Sequence, residues 1–327
     1  MKGLGLGLDC RLPVSVLVSA AAEAESKAFT GAWALQYHYF RDPFAVLAAI
    51  ASATSTISLG TAITNVSEKH PLAVGMSAAT IHELSKGRMI LGLGTGTPQR
   101  IKTEMGLSYE KPHLIMEEAV ALIRSFLSGE QVSWNGQFFH VNGATLGWEP
   151  STSKIPIYLA AMGPKSLGLA SKVADGVVLN YGTTPSYVSH AVSEIKRHRK
   201  DFSGFDITSL IWVVPDETER SLIAAKRTLA AFLSNPGFGE NVLPFTEEAP
   251  NQLELIRRFH YLPEGRVDIQ SAAQLISDQL LRSVMIIGES NSESRLRDYM
   301  RAGIQHPILV PLGGYDQIQR TVKVYSD

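Results

Sequence analysis

The first hundred residues repeat one pattern at an interval of roughly 30 residues, an apolar run of strand length followed by a helical stretch. The apolar runs fall at residues 3–9, 32–37, 57–63 and 89–94, with helical spacing at 14–29, 43–54 and 71–85 between them. The punctuation agrees with this division. Asp42 and Pro43 have the chemistry of a helix cap and first helical residue, His70-Pro71 opens the next helix, and Gly31 reads as a break after the first. Strict alternation of this kind predicts a parallel sheet, because a parallel neighbour is reached only through a crossover connection.

The alternation continues with strands expected at 156–161, 176–180, 207–214 and 306–311. Helices are expected at 109–127, 184–200, 271–281 and 292–302, and a further helix enters at Met162 to Ser166. Asn135-Gly136 between Trp134 and Phe138 marks a small hairpin excursion. The pattern weakens over residues 235–270, which hold Pro236, Pro244, Pro250 and Pro263. A long connection without its own periodicity is uncommon unless it is functional. It is expected to be an insertion that covers a pocket. Eight strand–helix units in 327 residues predict one (β/α)8 TIM barrel with an insertion after the seventh strand. A doubly wound dinucleotide fold is the competing reading of Gly92, Gly94 and Gly96. It fails because Thr97 and Gln99 stand where the last glycine of the fingerprint belongs, and because this strand is fourth in order.

A formal net charge of −1 gives no support for a nucleic-acid or anionic-membrane partner. No apolar run approaches the roughly 20 residues of a membrane span. The glycine-rich start does not have the form of a signal peptide. One cysteine, Cys10, leaves no intramolecular disulfide, which agrees with a reducing, cytoplasmic setting. Metal-ligand spacing is absent from the strand ends, and so is a nucleophile elbow.

Barrel chemistry sits at the carboxyl ends of the strands. Those ends are expected to present Asp9, Tyr37, His38, Ala62, Ile63, Thr64, Asn65, Gly94 to Thr97, Ala161 to Ser166, Asn180 and Gly313-Gly314. Small residues and hydroxyls dominate, which suits a flat ligand with a phosphate tail. Gly163-Pro164-Lys165-Ser166, entering a helix, suits the anion. His38 is the first choice for proton exchange near neutral pH. Asp9 is read as a solvated rim acid, Asp175 as a turn acid, and His70 chiefly as a helix-start residue.

Several of these stretches together resemble the luciferase-like flavin- and deazaflavin-dependent oxidoreductases. They are His38-Tyr39-Phe40-Arg41-Asp42-Pro43, Leu59 to Asn65 with His70-Pro71, Gly87 to Gly96, and Ala160-Ala161-Met162-Gly163-Pro164 with Ala174-Asp175-Gly176. The tip and the Ala-Ala-x-Gly-Pro turn are most similar to the deazaflavin branch, which includes methylenetetrahydromethanopterin reductase. The resemblance implies hydride transfer between coenzyme F420 and an organic substrate, with His38 catalytic. It implies cofactor contacts from Ala62, Ile63, Thr64, Asn65, Thr95, Gly96, Thr97, Ala161, Met162, Gly163 and Ser166. It also implies a non-proline cis peptide at Ala62–Ile63 and a homodimer formed through the helices after the second and third strands. Thr97 departs from the acid that several relatives carry after the tip, so sugar-phosphate oxidation is not expected. An FMN-dependent luciferase-type monooxygenase, with Arg100 and Lys165 near the phosphate, is the alternative. A non-catalytic cofactor-binding barrel is the second.

Overall fold

In the computed structural model the alternation closes into a ring. Residues 3–326 are described, apart from 28, 151–152, 236, 248–250 and 261–267. The strands are β1 (Leu4–Asp9), β2 (Phe29–Leu35), β3 (Ser58–Thr61), β4 (Met89–Gly94), β5 (Ile157–Ala161), β6 (Gly176–Leu179), β7 (Asp206–Val214) and β8 (His306–Pro311). Each pairs in parallel with the next, and β8 returns to β1, making a closed (β/α)8 barrel. Helices α1 (Val14–Ser26), α2 (Pro43–Ala53), α3 (Pro71–Leu84), α4 (Pro112–Leu127), α5 (Pro164–Val173), α6 (Pro185–His198) and α7 (Glu219–Ser234) follow the first seven strands.

The glycine–leucine alternation of β1 sorts two environments. Leu6 and Leu8 are fully buried in the layer between sheet and helices, with Ala20, Ala24, Leu47 and Ile50. Each such leucine contributes roughly 1.5–3 kcal/mol relative to exposure. Gly5 points the other way, where the ring of Trp33 fills the barrel axis. A Cβ would lie 2.8 Å from that ring at Gly5, 2.7 Å at Gly31 and 2.1 Å at Gly60. Gly31 therefore stands within β2 and does not end α1, which stops at Ser26. Tyr158 packs 6.0 Å from Trp33 and donates its hydroxyl to Asp206, which in turn faces His306. This plug closes the amino end of the barrel and leaves chemistry to the other end.

Caps follow the expected chemistry in part. The Asp42 carboxylate accepts from the amides of Phe44 and Ala45, and Pro43 is the first helical residue. His70 caps α3 through Nδ1, which accepts from Leu72 N–H at 3.2 Å. Thr218 caps α7, and Asp216 accepts from the amide and hydroxyl of Thr218. Burial pushes the Glu25 carboxyl up, but bonds from the amides of Thr56, Ile57 and Ser55 outweigh it and hold the group down at about 2. That carboxylate ties α1 to the segment entering β3.

Residues 132–144 form the expected hairpin, Val132–Asn135 against His140–Ala144. Residues 235–270 carry more structure than their sequence suggests, with helices at Phe238–Val242 and Asn251–His260 and a 3-10 turn at Leu243–Phe245. A two-residue strand, Ile286–Ile287, pairs with the end of β7 and was not anticipated, because two residues carry no period. No helix among the described residues is long and apolar enough to cross a membrane.

Candidate active site at the carboxyl ends of the strands

The third strand breaks before the site begins. Leu59 and Gly60 pair with Met89 and Ile90, whereas Thr64 and Asn65 pair with Leu93 and Gly94. From Leu59 to Thr64 the chain uses one residue more than β4 does from Met89 to Leu93, so a bulge lies between. Ala62–Ile63 falls inside it and is joined by a cis peptide, as the resemblance implied. The glycines of β4 serve this bulge. Gly92 lies under the Thr61 carbonyl, where a Cβ would come within 2.0 Å of the oxygen, and Gly94 lies under the Ile63 side chain. The Thr61 hydroxyl replaces the interrupted ladder, donating to Gly92 O at 2.8 Å and accepting from Gly92 N at 2.9 Å. Gly96 has a different task, a turn at φ +71°.

The loop after the bulge folds over the tip of β4. Val66 N–H reaches Gly94 O and the Ser67 hydroxyl reaches Thr95 O at 3.1 Å. The result is that Glu68 lies beside His38, with Nδ1 3.2 Å from Oε1 and both side chains about a tenth exposed. Gln36 Nε2 holds the other carboxylate oxygen at 3.0 Å, and Asn65 Nδ2 donates to Oε1. Burial pushes His38 down, and Glu68 pulls it part of the way back. Glu68 was missed from sequence because Ser67-Glu68-Lys69 reads as a solvated polar loop. Its place just past a strand end was the available signal.

Three oxygens in this corner are buried without a hydrogen-bond partner among the described residues: Gln36 Oε1, Thr64 Oγ1 and Asn65 Oδ1. A buried polar atom left unmade costs roughly 1–3 kcal/mol, so together they mark a place for a polar ligand edge. Thr64 and Asn65, two of the residues expected at the strand ends, both lie in this corner. Thr95 is not free in the same sense, since its hydroxyl accepts from Tyr109 at 3.0 Å. Thr97 is half-buried, and its carbonyl receives Ile101 N–H in the π-helix Gln99–Glu104. That helix carries Arg100, 3.5 Å from Glu104, whose charge is felt both at His38 and at Tyr181.

The other wall begins at Ala161, which is buried at the end of β5. Met162 is half-buried; its N–H donates to Ser166 Oγ, and its carbonyl accepts from Tyr187. Gly163 caps α5 without a side-chain bond, and Asn241, in the helix Phe238–Val242, comes close to it. Lys165 stands in the first turn of α5 and adds to the burial that pushes His113 down. An aromatic series leads from the helix Phe238–Val242 to the end of β6. Phe238 stacks on Phe232 at 4.7 Å, and Phe232 meets Tyr181 and Trp212 edge-on. Arg11 covers the Tyr37 ring at 4.4 Å. Asp9 is engaged by Arg11, and Asp175 by Arg124, Lys154 and the Ile157 amide, so both carry structural work.

Fold and site together define a (β/α)8 barrel whose carboxyl end carries a histidine–carboxylate pair beyond β2 and a helix N-terminus beyond β5. The luciferase-like monooxygenase family matches residues 11–306, and the chain belongs to that family. It is 32% identical over 225 residues to the 5,10-methylenetetrahydromethanopterin reductase of Methanolobus tindarius, covering 68% of each chain. With the enzyme of the same name from Archaeoglobus fulgidus it shares 28% over 294 residues, covering 86% of this chain and 85% of the relative. The coenzyme F420 dependent tetrahydromethanopterin reductase of Methanopyrus kandleri superposes with a TM-score of 0.85 at 22% identity. That alignment covers 100% of this chain and 97% of the other, and it shows a common fold.

Proposed function

We propose that the protein is a coenzyme F420-dependent oxidoreductase that moves a hydride between the deazaflavin and an organic substrate. The observation that carries the reading is the third-strand corner, where the bulge and three buried unpartnered oxygens meet. These fit one edge of a flat heterocycle. Bound F420 supplies the hydride chemistry of its ring.

The chain's own residues bind, orient and handle the proton. Ala62 and Ile63 back the ring, and Thr64 and Asn65 meet its polar edge. Thr95, Gly96 and Thr97 form the adjoining wall, where the Thr95 hydroxyl is already shared with Tyr109. Ala161, Met162, Gly163 and Ser166 receive the tail, whose anionic groups are favoured by the α5 N-terminus and Lys165. His38 exchanges a proton through Nε2. Residues 235–270 cover the pocket, a role supported by the approach of Asn241 to Gly163 and by the Phe238–Phe232 stack. The names of the two archaeal relatives make a methylene-bearing reduced pterin the first substrate to assay.

Purified protein is expected to quench F420 fluorescence at micromolar concentration and to bind FMN far more weakly. Tight FMN binding with substrate-dependent oxygen uptake would instead establish the luciferase-type monooxygenase. F420 binding with no turnover across a substrate panel would establish a non-catalytic barrel.

We also propose a homodimer. The outer faces of α2 and α3 support it, since they expose Ala45 and Ala53 alongside Ala73, Met76 and Leu84. Sedimentation velocity is expected to show a dimer that Met76→Glu weakens; a monomer at all concentrations rejects this interface.

A further inference from the structure

We propose that Glu68 is a positioning residue that orients His38 and presents its Nε2 to the reacting molecules. The geometry is specific. A carboxylate only accepts, so the His38 Nδ1 that faces it at 3.2 Å carries the hydrogen, and the exchangeable lone pair lies on Nε2. Glu68 is itself held from both sides, by Gln36 Nε2 on one oxygen and Asn65 Nδ2 on the other. Its loop is pinned to the β4 tip through Val66 and Ser67, and to the cap of α2 through the Lys69–Asp42 ion pair. Position 97 holds threonine, and the carboxylate that meets His38 comes from the third-strand loop.

The charged groups that act on His38 are Glu68, Arg100 and Glu104, and the Tyr39 ring lies 6.3 Å away. Burial disfavours the imidazolium, Glu68 favours it, Arg100 disfavours it and Glu104 favours it. Removing the Glu68 charge therefore makes His38 bind its proton only at lower pH. The limb of the pH–rate profile at which activity falls as His38 Nε2 takes up its proton moves to lower pH with it.

The inference rests on the proposed function for its kinetic arm alone. The first measurement is an NMR titration of the imidazole of His38 in the full chain without cofactor, for the native protein, Glu68→Gln and Glu68→Asp. The expected result is an Nδ1–H tautomer in the native protein, a midpoint moved to lower pH in Glu68→Gln, and recovery towards the native midpoint in Glu68→Asp. An unchanged midpoint and tautomer in Glu68→Gln overturns the proposal. In the kinetic arm Glu68→Gln is expected to lower kcat by roughly 10–100-fold, the scale typical when an orienting partner is removed. The KM for F420 should stay the same, and the low-pH limb should move down. An F420 affinity that falls in parallel with kcat, with no change of pH profile, overturns it too. A native protein that shows the expected titration but does not bind F420 refutes the proposed function and leaves the Glu68–His38 pair standing.

Discussion

His38→Ala is expected to lower kcat by roughly 10²–10⁴-fold, the range that a positioned acid–base group contributes, with F420 affinity changed little. The reason lies in how His38 is placed. Its ring is about a tenth exposed, and Glu68 secures one nitrogen. The backbone that carries it leaves β2 directly beyond Leu35 and Gln36, at the same end of the barrel as the third-strand bulge. The oxygens expected to meet the cofactor edge belong to Thr64, Asn65 and Gln36, which alanine at 38 leaves in place. Binding and turnover should therefore separate. Single-turnover absorbance of F420 measures the hydride step, and fluorescence quenching measures affinity in the same samples. His38→Asn is a useful companion, because it keeps a donor towards Glu68 but does not exchange a proton near neutral pH. If His38→Ala changes affinity alone and leaves the hydride step at its native rate, His38 is a ring-binding residue and the proton must be handled elsewhere.

Gly92→Ala is expected to be strongly destabilising. Its Cβ would lie 2.0 Å from the Thr61 carbonyl oxygen and 3.1 Å from the carbonyl carbon. Both atoms are backbone, so relief requires moving β3 away from β4. That movement also breaks the two bonds between the Thr61 hydroxyl and Gly92. Overpacking and two lost buried hydrogen bonds together make a loss of about 3 kcal/mol or more reasonable. Urea denaturation of the purified variant reads this directly, and F420 affinity should fall with it because the bulge shifts. Gly94→Ala is the control. Its nearest neighbour, at 2.3 Å, is the Cδ1 of Ile63, the far end of a flexible side chain. Stability should suffer less there, while binding still falls as Ile63 turns towards the ring site. Equal denaturation midpoints for Gly92→Ala and the native protein would mean that β3 and β4 are not in this close contact.

These two cases show which parts of the site were legible. The position of His38 past a strand end followed from counting strand–helix units. Asp42 at the cap and Pro43 after it followed from local backbone chemistry. Gly92 and Gly94 were visible as small residues, but their reason was not. They read as room for a ligand and proved to be room for Thr61 and Ile63. Gly31 misled in the same way: local rules make it a helix breaker, and only the Trp33 ring packed over it explains its place within β2.

The sequence by itself determined the strand–helix alternation, the barrel, the order of the strand ends and so the candidate wall residues. All of these depend on contacts between residues close along the chain, or on a period that local spacing records. Tertiary structure decided the carboxylate. His38 and Glu68 stand thirty residues apart and meet because a loop crosses from β3 over the tip of β4. It also decided the bulge register, the occupied hydroxyl of Thr95 and the helices of residues 235–270. Pairings of that kind carry no period and no local propensity. Their free energy comes from burying polar groups against partners that the chain brings together only after the ring has closed.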